Sequence, residues 1–265
     1  MSALDENFPI TRPSGRVLPG TLTRAPNPVS PSQVIILLHG MIADMNHNFA
    51  PALAAALAAR ARTHVLRFNF RGVAPDAAEP AHRFRICGFD DDVDDVAAAL
   101  AALAAAGLTP AALGGHSRGA GVALRAAASL PGAAGLPLAL LAPRFDTAAM
   151  LDGPLLKRAA LEALAAGAES VTWATRAGAV LVTRDDVAYL RAAGTMAATV
   201  AALPAAARVL LVHGTDDKTI PVASAADFAA ARPSIRVVIV QGARHNFDAA
   251  EHAAALIDAV VEHLA

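Results

Sequence analysis

A serine with a glycine two positions away on each side is the first place where this sequence could do chemistry. Residues 115–119 read Gly-His-Ser-Arg-Gly, and they lie between a β-rich apolar run and an alanine-rich helical pattern. A strand that turns sharply into a helix leaves room only for hydrogen at the flanking positions, which explains both glycines. Such a turn holds Ser117 in a strained backbone conformation with its hydroxyl exposed. The pattern predicts a serine nucleophile, and the alternative is that Ser117 only caps the helix.

A serine hydroxyl is a weak nucleophile until a base takes its proton, so a histidine and an orienting carboxylate are expected later in the chain. His245 follows the apolar run 235–242, and Asp216 and Asp217 follow the run 208–214. Adjacent residues on an extended chain point in opposite directions, so only one of the two aspartates can face His245. The spacing alone leaves that choice open, and it leaves open that His245 is an ordinary loop histidine.

Six short aliphatic runs supply the elements that must position these side chains. Their hydrophobicity is continuous rather than alternating, which is typical of strands covered by helices on both faces. The fold class is therefore α/β with a mostly parallel sheet. The predicted strands are 34–40, 63–70, 111–116, 136–143, 208–214 and 235–242, with a leading hairpin over 16–23. The predicted helices between and after them are 51–62, 92–106, 118–130, 222–231 and 248–264.

One long interval, approximately residues 144–203, departs from this alternation. It contains a helical pattern at 155–166, a hairpin pattern that turns at 176–178, and a second helical stretch at 185–202. Because it leaves from the carboxyl edge of the sheet, where open α/β sheets bind ligands, we expect it to cover the site. The chain is thus predicted to be one domain, 1–265, with a small lid.

Trp173 and Tyr189, the single Trp and single Tyr of the chain, both fall in this insertion. Large aromatic side chains of this kind either line a substrate pocket or form the small core of the insertion itself. Both remain candidate substrate-binding residues.

Composition excludes several classes of partner. The chain has 22 Lys and Arg against 23 Asp and Glu, so no basic surface is expected for nucleic acid or an anionic membrane. Cys87 is the single cysteine, which rules out an internal disulfide and fits a reducing compartment. The long uncharged stretches are interrupted by Gly and Pro, and the first residues lack the apolar core of a signal peptide. These features predict a soluble cytoplasmic protein; they make no prediction of oligomeric state.

A run of aspartates, 90–95, is the one cluster that suggests a cation site. It opens a predicted helix, where carboxylates cap free N–H groups and oppose the helix dipole, and we interpret it that way. The sequence contains no HExxH pattern, no EF-hand loop and no GxGxxG after the first strand. No metal and no organic cofactor are therefore expected.

The motifs together resemble the α/β-hydrolase family over nearly the whole chain. They are LLHGM, FNFRG, GHSRG, HGTDDKTIP and GARHNF. The resemblance implies the α/β-hydrolase fold, and its HGxxD spacing implies Asp217 rather than Asp216 as the acid. It also implies that the backbone N–H groups of Met41 and Arg118 form an oxyanion hole. The start of the insertion, LLAPRFD, is similar to the cinnamoyl and feruloyl esterase group.

The function implied by this resemblance is hydrolysis of a small carboxylic ester through Ser117, His245, Asp217 and an acyl-enzyme. A second enzyme class is an aminopeptidase-type serine hydrolase, which needs an acidic anchor for the substrate amine. The insertion offers four such residues: Asp146, Asp152, Glu162 and Glu169. A third possibility is a ligand-binding scaffold of the same fold without turnover.

Overall fold

Eight strands of the chain form one mostly parallel sheet in a computed structural model that describes residues 4–73, 85–151, 158–175 and 178–265. With two small two-stranded sheets, β2 with β3 and β9 with β10, the described residues contain twelve strands in all. They are β1 (Leu4–Asn7), β2 (Ile10–Thr11), β3 (Val17–Leu18), β4 (Gly20–Arg24), β5 (Gln33–Leu38), β6 (His64–Phe68), β7 (Thr109–His116), β8 (Leu138–Leu141), β9 (Ser170–Thr175), β10 (Gly178–Thr183), β11 (Val209–Gly214) and β12 (Arg236–Val240). The order in the sheet is β1-β4-β6-β5-β7-β8-β11-β12. From β6 to β12 each neighbouring pair is parallel. β4 is antiparallel to β6, and β1 is antiparallel to β4. The predicted α/β class is confirmed.

Helices cover both faces of this sheet. They are α1 (Ala50–Ala56), α2 (Phe89–Ala105), α3 (Arg118–Ser129), α4 (Arg158–Ala165), α5 (Arg184–Ala193), α6 (Ala197–Ala201), α7 (Ala223–Ala231) and α8 (Ala250–Leu264). A π-helical turn, Leu57–Ala61, continues α1, and a 3-10 turn, Ala148–Met150, precedes α4. Among the residues described, each helix is too short or too polar to span a bilayer.

The continuous apolar strands divide their side chains between two cores. Along β5, Ile35 and Leu37 join one buried cluster, which also contains Leu53. The alternate residues Ile36 and Leu38 join the other. Because successive side chains of a strand point to opposite faces, an unbroken aliphatic run is what a sheet covered on both sides requires.

The six predicted strands are confirmed, with ends displaced by at most a few residues, but the predicted leading hairpin is wrong. β3 pairs with β2, whereas β4 pairs with β1 and β6. Pro19 therefore links two strands of different sheets, and Gly20 is the first residue of β4, so the two residues do not form a hairpin turn. The Gly20 backbone passes so close to the Phe8 carbonyl that a Cβ would overlap it. Packing of β4 on the sheet outweighs the local turn signal.

Between β8 and β11 the chain forms α4, the antiparallel pair β9 and β10, then α5 and α6. The predicted helical stretch at 185–202 is two helices, because Gly194 ends α5 with a φ of +56°. Two of the predicted hairpin-turn residues, 176 and 177, lie outside the described residues. Val182 and Leu190 are fully buried in the same core cluster as the sheet. The Cys87 thiol donates a hydrogen bond of 2.5 Å to Asp186, which ties α5 to the chain just before α2.

The topology brings four loops to one edge of the sheet. The chain passes from β5 to β6 on one side and later to β7 on the other, so β5 and β7 flank the switch point of the sheet. Open α/β sheets bind ligands outside the carboxyl ends of the strands at this point. Met41 follows β5, Ser117 follows β7, Asp217 follows β11 and His245 follows β12.

We predict that Leu211→Ala lowers the free energy of unfolding by about 3 kcal/mol, because it leaves a cavity in a central strand. Leu211 of β11 is 0% exposed. The matched control is Leu4→Ala, at a position that is 65% exposed, which should change stability by less than about 0.5 kcal/mol. Urea unfolding of both variants measures the difference. Equal losses in the two would contradict this assignment of the core.

Candidate active site

Ser117 occupies a backbone conformation that L-residues rarely adopt, with φ 54° and ψ −116°. It joins the end of β7 directly to the start of α3, and its N–H donates to the Leu141 carbonyl at 2.8 Å. A Cβ on Gly119 would lie 2.5 Å from the Leu38 carbonyl oxygen, and one on Gly115 would overlap the Gly119 carbonyl. The glycines flanking the serine are thus required by backbone contact, as the sequence pattern predicts. The strain leaves the Ser117 hydroxyl projecting from the turn.

The structure places Ser117, His245 and Asp217 in one chain of hydrogen bonds. His245 Nε2 lies 3.0 Å from Ser117 Oγ, and His245 Nδ1 lies 2.7 Å from Asp217 Oδ2. A carboxylate can only accept, so Nδ1 carries the proton and donates to Asp217, and Nε2 is left to accept from the Ser117 hydroxyl. Asp216 is exposed, and its carboxylate accepts from the Thr215 hydroxyl instead.

The Asp217 carboxylate is held by several donors at once. Its Oδ1 accepts from the N–H groups of Thr219 and Ile220, each at 2.8 Å, and its Oδ2 lies 3.3 Å from His213 Nε2. Burial alone would raise the pKa of this carboxyl. The hydrogen bonds from His213 and His245, the positive charge that His245 carries when it is protonated, and the Ile220 N–H outweigh it and lower the pKa well below its usual range. Asp217 therefore stays ionised and fixes the tautomer of His245.

A second histidine, His116, contacts the backbone and the ring of His245. His116 Nε2 donates to the His245 carbonyl oxygen at 2.8 Å, and the centroids of the two imidazole rings are 4.9 Å apart. Burial, reinforced by the positive charge of His245 when that ring is protonated, lowers the pKa of His116 to about 3. His116 is therefore neutral at ordinary pH, and it orients the loop of His245 without competing for the proton.

Two backbone amides predicted to bind an oxyanion lie beside Ser117. Arg118 N–H stands at the first position of α3, the positive end of that helix. The Met41 peptide is oriented by His39, which accepts from Phe70 N–H at 3.1 Å and donates through Nδ1 to the Gly40 carbonyl at 2.8 Å. Because the peptide is planar and trans, a fixed Gly40 carbonyl also fixes the direction of the Met41 N–H. Burial lowers the pKa of His39 to about 4, so this contact does not change near neutral pH.

Ser117 lines an open pocket that contains about 470 Å³ of empty space, including the solvent at its opening. Most of its surface is apolar, and Arg144 is one of two arginines in its lining; the Arg144 Nη2 donates to the carbonyl oxygen of Thr219, another lining residue, at 2.8 Å. Trp173 and Tyr189 are not among the described residues that line it; both pack against the core cluster. The lining residues are Met41, Phe89, Ser117, Arg118, Gly121, Arg144, Thr147, Met150, Met196, Thr219 and Ile220.

Several of these lining residues were not singled out in the sequence. Arg144, Thr147, Met150 and Met196 come from the insertion after β8. A signal for Arg144 does exist, since it stands three residues beyond the carboxyl end of β8 at the edge that carries Ser117. For Met150 and Met196, no local sequence feature distinguishes a methionine that lines a pocket from one that packs in the core.

The aspartates at the start of α2 pair with arginines, and their predicted role of capping free N–H groups is wrong, although Asp90, Asp91 and Asp92 do lie in the first turn, where they oppose the helix dipole. The N-cap of α2 is Gly88, with no side-chain hydrogen bond. Asp92 accepts from Arg118 Nε at 2.6 Å, and Asp95 accepts from Arg71 Nη2 at 2.7 Å. In the portions of the chain that are described, no group of three or more His, Cys, Asp or Glu is placed to hold a metal ion.

Comparisons with known proteins agree with this architecture. Residues 35–259 match the family model described as the alpha/beta hydrolase family. A search of curated proteins finds no match for the sequence.

Solved structures with the same fold include esterases and a peptidase. Est1E from Butyrivibrio proteoclasticus, in a structure with ferulic acid bound, has a TM-score of 0.71 at 16% identity, covering 97% of this chain and 98% of that one. The esterase domain of a Rhodothermus marinus protein has a TM-score of 0.66 at 19% identity and covers 100% of each chain. A puromycin-hydrolyzing peptidase of Mycobacterium tuberculosis has a TM-score of 0.68 at 17% identity, covering 99% of this chain and 39% of that one. At these identities the likeness concerns the fold alone.

The close backbone contacts at Gly119 predict that a single added methyl group destabilises the protein. Gly119→Ala should lower the free energy of unfolding by about 1–3 kcal/mol, because the new Cβ meets two backbone carbonyls at 2.5 and 2.6 Å. Gly121→Ala in the same helix is the matched control, since its Cβ would lie 3.7 Å from Phe89. Removing a helical glycine should raise stability there by up to about 1 kcal/mol. Chemical unfolding measures both, and equal effects would refute the close approach.

The lowered pKa of Asp217 predicts a pH-dependent contribution to stability. A carboxyl whose pKa is depressed on folding stabilises the folded state above its ordinary, unfolded pKa of 3.8, and loses that contribution as the pH falls. The stability difference between wild type and Asp217→Asn should therefore shrink by about 1 kcal/mol between about pH 6 and pH 3. Urea unfolding across this range measures it. A difference that is constant or grows towards acid would contradict the assignment.

Proposed function

Because the chain belongs to the alpha/beta hydrolase family and has its fold, we propose that it hydrolyses carboxylic esters through Ser117, His245 and Asp217. The observation that carries this proposal is the unbroken hydrogen-bond chain from the Ser117 hydroxyl to the Asp217 carboxylate, at the mouth of an apolar pocket. A hydroxyl, a base and an orienting carboxylate in that order are what acyl transfer to serine requires.

In the proposed first step, Ser117 Oγ forms a bond to the ester carbonyl carbon while its proton passes to His245 Nε2. The carbonyl oxygen takes the displaced electron pair as an oxyanion. Asp217 stabilises the imidazolium that results, because its carboxylate is ionised and already bonded to Nδ1–H. Collapse of the intermediate breaks the bond to the alcohol oxygen, which receives the proton from His245, and leaves the acyl group on Ser117.

Water completes the cycle by the same route in reverse. His245 takes a proton from the attacking water, a second oxyanion forms, and its collapse returns the proton to Ser117 Oγ as the acid leaves. We assign the Met41 and Arg118 N–H groups to the oxyanion, because both belong to segments fixed beside Ser117. Each such donor is worth about 10²–10³ in rate.

The character of the pocket favours an ester over an aminoacyl substrate. An aminopeptidase needs a carboxylate near the serine to bind the substrate amine, and the described residues that line the pocket include none. Asp146 accepts from the Ala148 and Ala149 N–H groups, Glu162 pairs with Arg158, and Glu169 is exposed. Asp152 lies outside the described residues. A cationic amine would also be repelled by the Arg144 guanidinium.

The proposal extends to the insertion over residues 144–203, which we take to be a lid on a single domain. It supplies Arg144, Thr147, Met150 and Met196 to the pocket, so it forms much of the surface that a substrate would contact. The single cysteine, Cys87, fits an enzyme that acts in the reducing cytoplasm.

We predict that Ser117→Ala and His245→Ala lower kcat on p-nitrophenyl butyrate by about 10⁵–10⁶-fold, and Asp217→Asn by about 10³–10⁴-fold. The matched control for the last variant is Asp216→Asn, which should retain activity because its side chain is exposed and makes no contact with His245. A fluorophosphonate probe should label wild type stoichiometrically and leave Ser117→Ala unlabelled.

Three outcomes would overturn parts of this proposal. Faster turnover of aminoacyl p-nitroanilides than of esters would favour the peptidase class. Binding of the ester without any burst of p-nitrophenol would favour a scaffold without turnover. Equal loss of activity in Asp216→Asn and Asp217→Asn would refute the assignment of the acid.

A further inference from the structure

Arg144 stands where a charged group could contact a substrate directly. It follows β8, which lies in the sheet between β7 and β11, the strands that lead to Ser117 and Asp217. Arg144 lines the same pocket as Ser117, together with Met150 and Met196, and its guanidinium bonds to Thr219, another residue of that lining. A guanidinium is therefore placed in a largely apolar surface beside the reacting centre.

The guanidinium of Arg144 has one hydrogen bond to the described part of the protein. Its Nη2 donates to the Thr219 carbonyl oxygen at 2.8 Å. The other guanidinium nitrogens have no hydrogen bond within the described part of the protein and are not among its fully buried polar atoms, so they are at least partly accessible to solvent. Arginine has five N–H donors in a rigid plane, and the pocket is where the remaining donors can find an acceptor.

The two carboxylates whose charges act on Arg144, those of Asp217 and Asp146, already accept hydrogen bonds from other groups. Asp217 accepts from His245 and from two backbone amides, and Asp146 accepts from the Ala148 and Ala149 N–H groups. Burial lowers the pKa of Arg144, and the charges of Asp217 and Asp146 oppose that shift. The side chain keeps its charge at any assay pH, since an arginine does not lose its proton in a protein.

Arg118, the other arginine of the pocket lining, shows the contrast. Its Nε bonds to the Asp92 carboxylate at 2.6 Å, its Nη1 bonds to the Ile86 carbonyl at 2.8 Å, and its guanidinium stacks on the Phe89 ring. The charge of Arg118 is therefore balanced within the protein. For Arg144 no such carboxylate contact exists among the described residues, and a half-buried cation in an apolar wall is stabilised by an anion.

We propose that Arg144 binds a carboxylate group of the substrate, so that the preferred substrates are esters whose acyl or alcohol part carries a carboxylate. This inference rests on the proposed esterase function. A carboxylate suits the site because its two oxygens match two adjacent N–H groups of a guanidinium, and such pairs are strong and directional where water is partly excluded. Arg144 is then a specificity-determining residue.

The test compares matched pairs of esters on one enzyme preparation. For the acyl side, the pair is mono(p-nitrophenyl) adipate and p-nitrophenyl heptanoate. For the alcohol side, it is p-carboxyphenyl butyrate and p-carbamoylphenyl butyrate. Wild type should show a kcat/KM at least tenfold higher for the anionic member of one pair, and the pair that shows it identifies the side that meets Arg144. Added salt should raise KM for that ester and not for its neutral match.

In Arg144→Gln the ratio of kcat/KM between the two members should fall to about one. A merely structural role, such as holding the Thr219 loop, would lower both rates together and leave the ratio unchanged. Arg144→Lys keeps the charge without the planar fork and should retain an intermediate ratio. Arg60→Gln is the control for long-range attraction, because Arg60 is exposed and pairs with Asp258 on α8. That variant should keep the wild-type ratio.

The outcomes separate the two proposals. If wild type hydrolyses both members of each pair equally, or prefers the neutral ones, the role of Arg144 is refuted while the esterase function stands. The same holds if the preference survives in Arg144→Gln. If no ester is turned over above the Ser117→Ala blank, the esterase function itself fails, and with it this inference.

Discussion

The site depends on the close approach of three backbone segments at Ser117. The carbonyls at the end of β5 lie so near Gly119 that no side chain fits, and Gly115 is packed against the Gly119 carbonyl in the same way. This contact forces β7 to turn into α3 within one residue, at a positive φ. A more relaxed turn would move the hydroxyl away from His245 and the start of α3 away from the pocket. The strain is maintained because the surrounding sheet is fully packed on both faces.

Around this turn, each buried carboxylate is held by hydrogen-bond donors. Asp217 is held by His245 and by two amides, and Asp92 is bonded to Arg118. Pairing matters because an unpaired ion in a low-dielectric interior is strongly unfavourable, whereas a paired one is rigid. Rigid partners give His245 a single tautomer and orientation. Within the described pocket lining, Arg144 differs from Arg118 in lacking a carboxylate contact. That difference is the basis for proposing that the substrate supplies a carboxylate.

The sequence predicted most of the site because the relevant signals are local. A glycine two positions either side of Ser117 reflects a steric requirement that acts within five residues. Strand runs such as β5 and β11 were recognisable because burial on both faces removes polar residues altogether. The choice of Asp217 over Asp216 came from the HGxxD spacing of the resembled family, since both carboxylates are chemically equal until their directions are known.

The identity of the strands, the serine turn and the candidate base and acid were thus determined by the sequence itself. The tertiary structure decided which groups meet. Pro19-Gly20 does not form a hairpin turn, because β4 pairs with β1 and β6 and not with the adjacent β3. Asp92 and Asp95 pair with arginines, Trp173 and Tyr189 pack on the core, and Arg144 enters the pocket. The physical reason is that these roles depend on contacts between residues distant in sequence, and residue type and local spacing carry no record of such contacts.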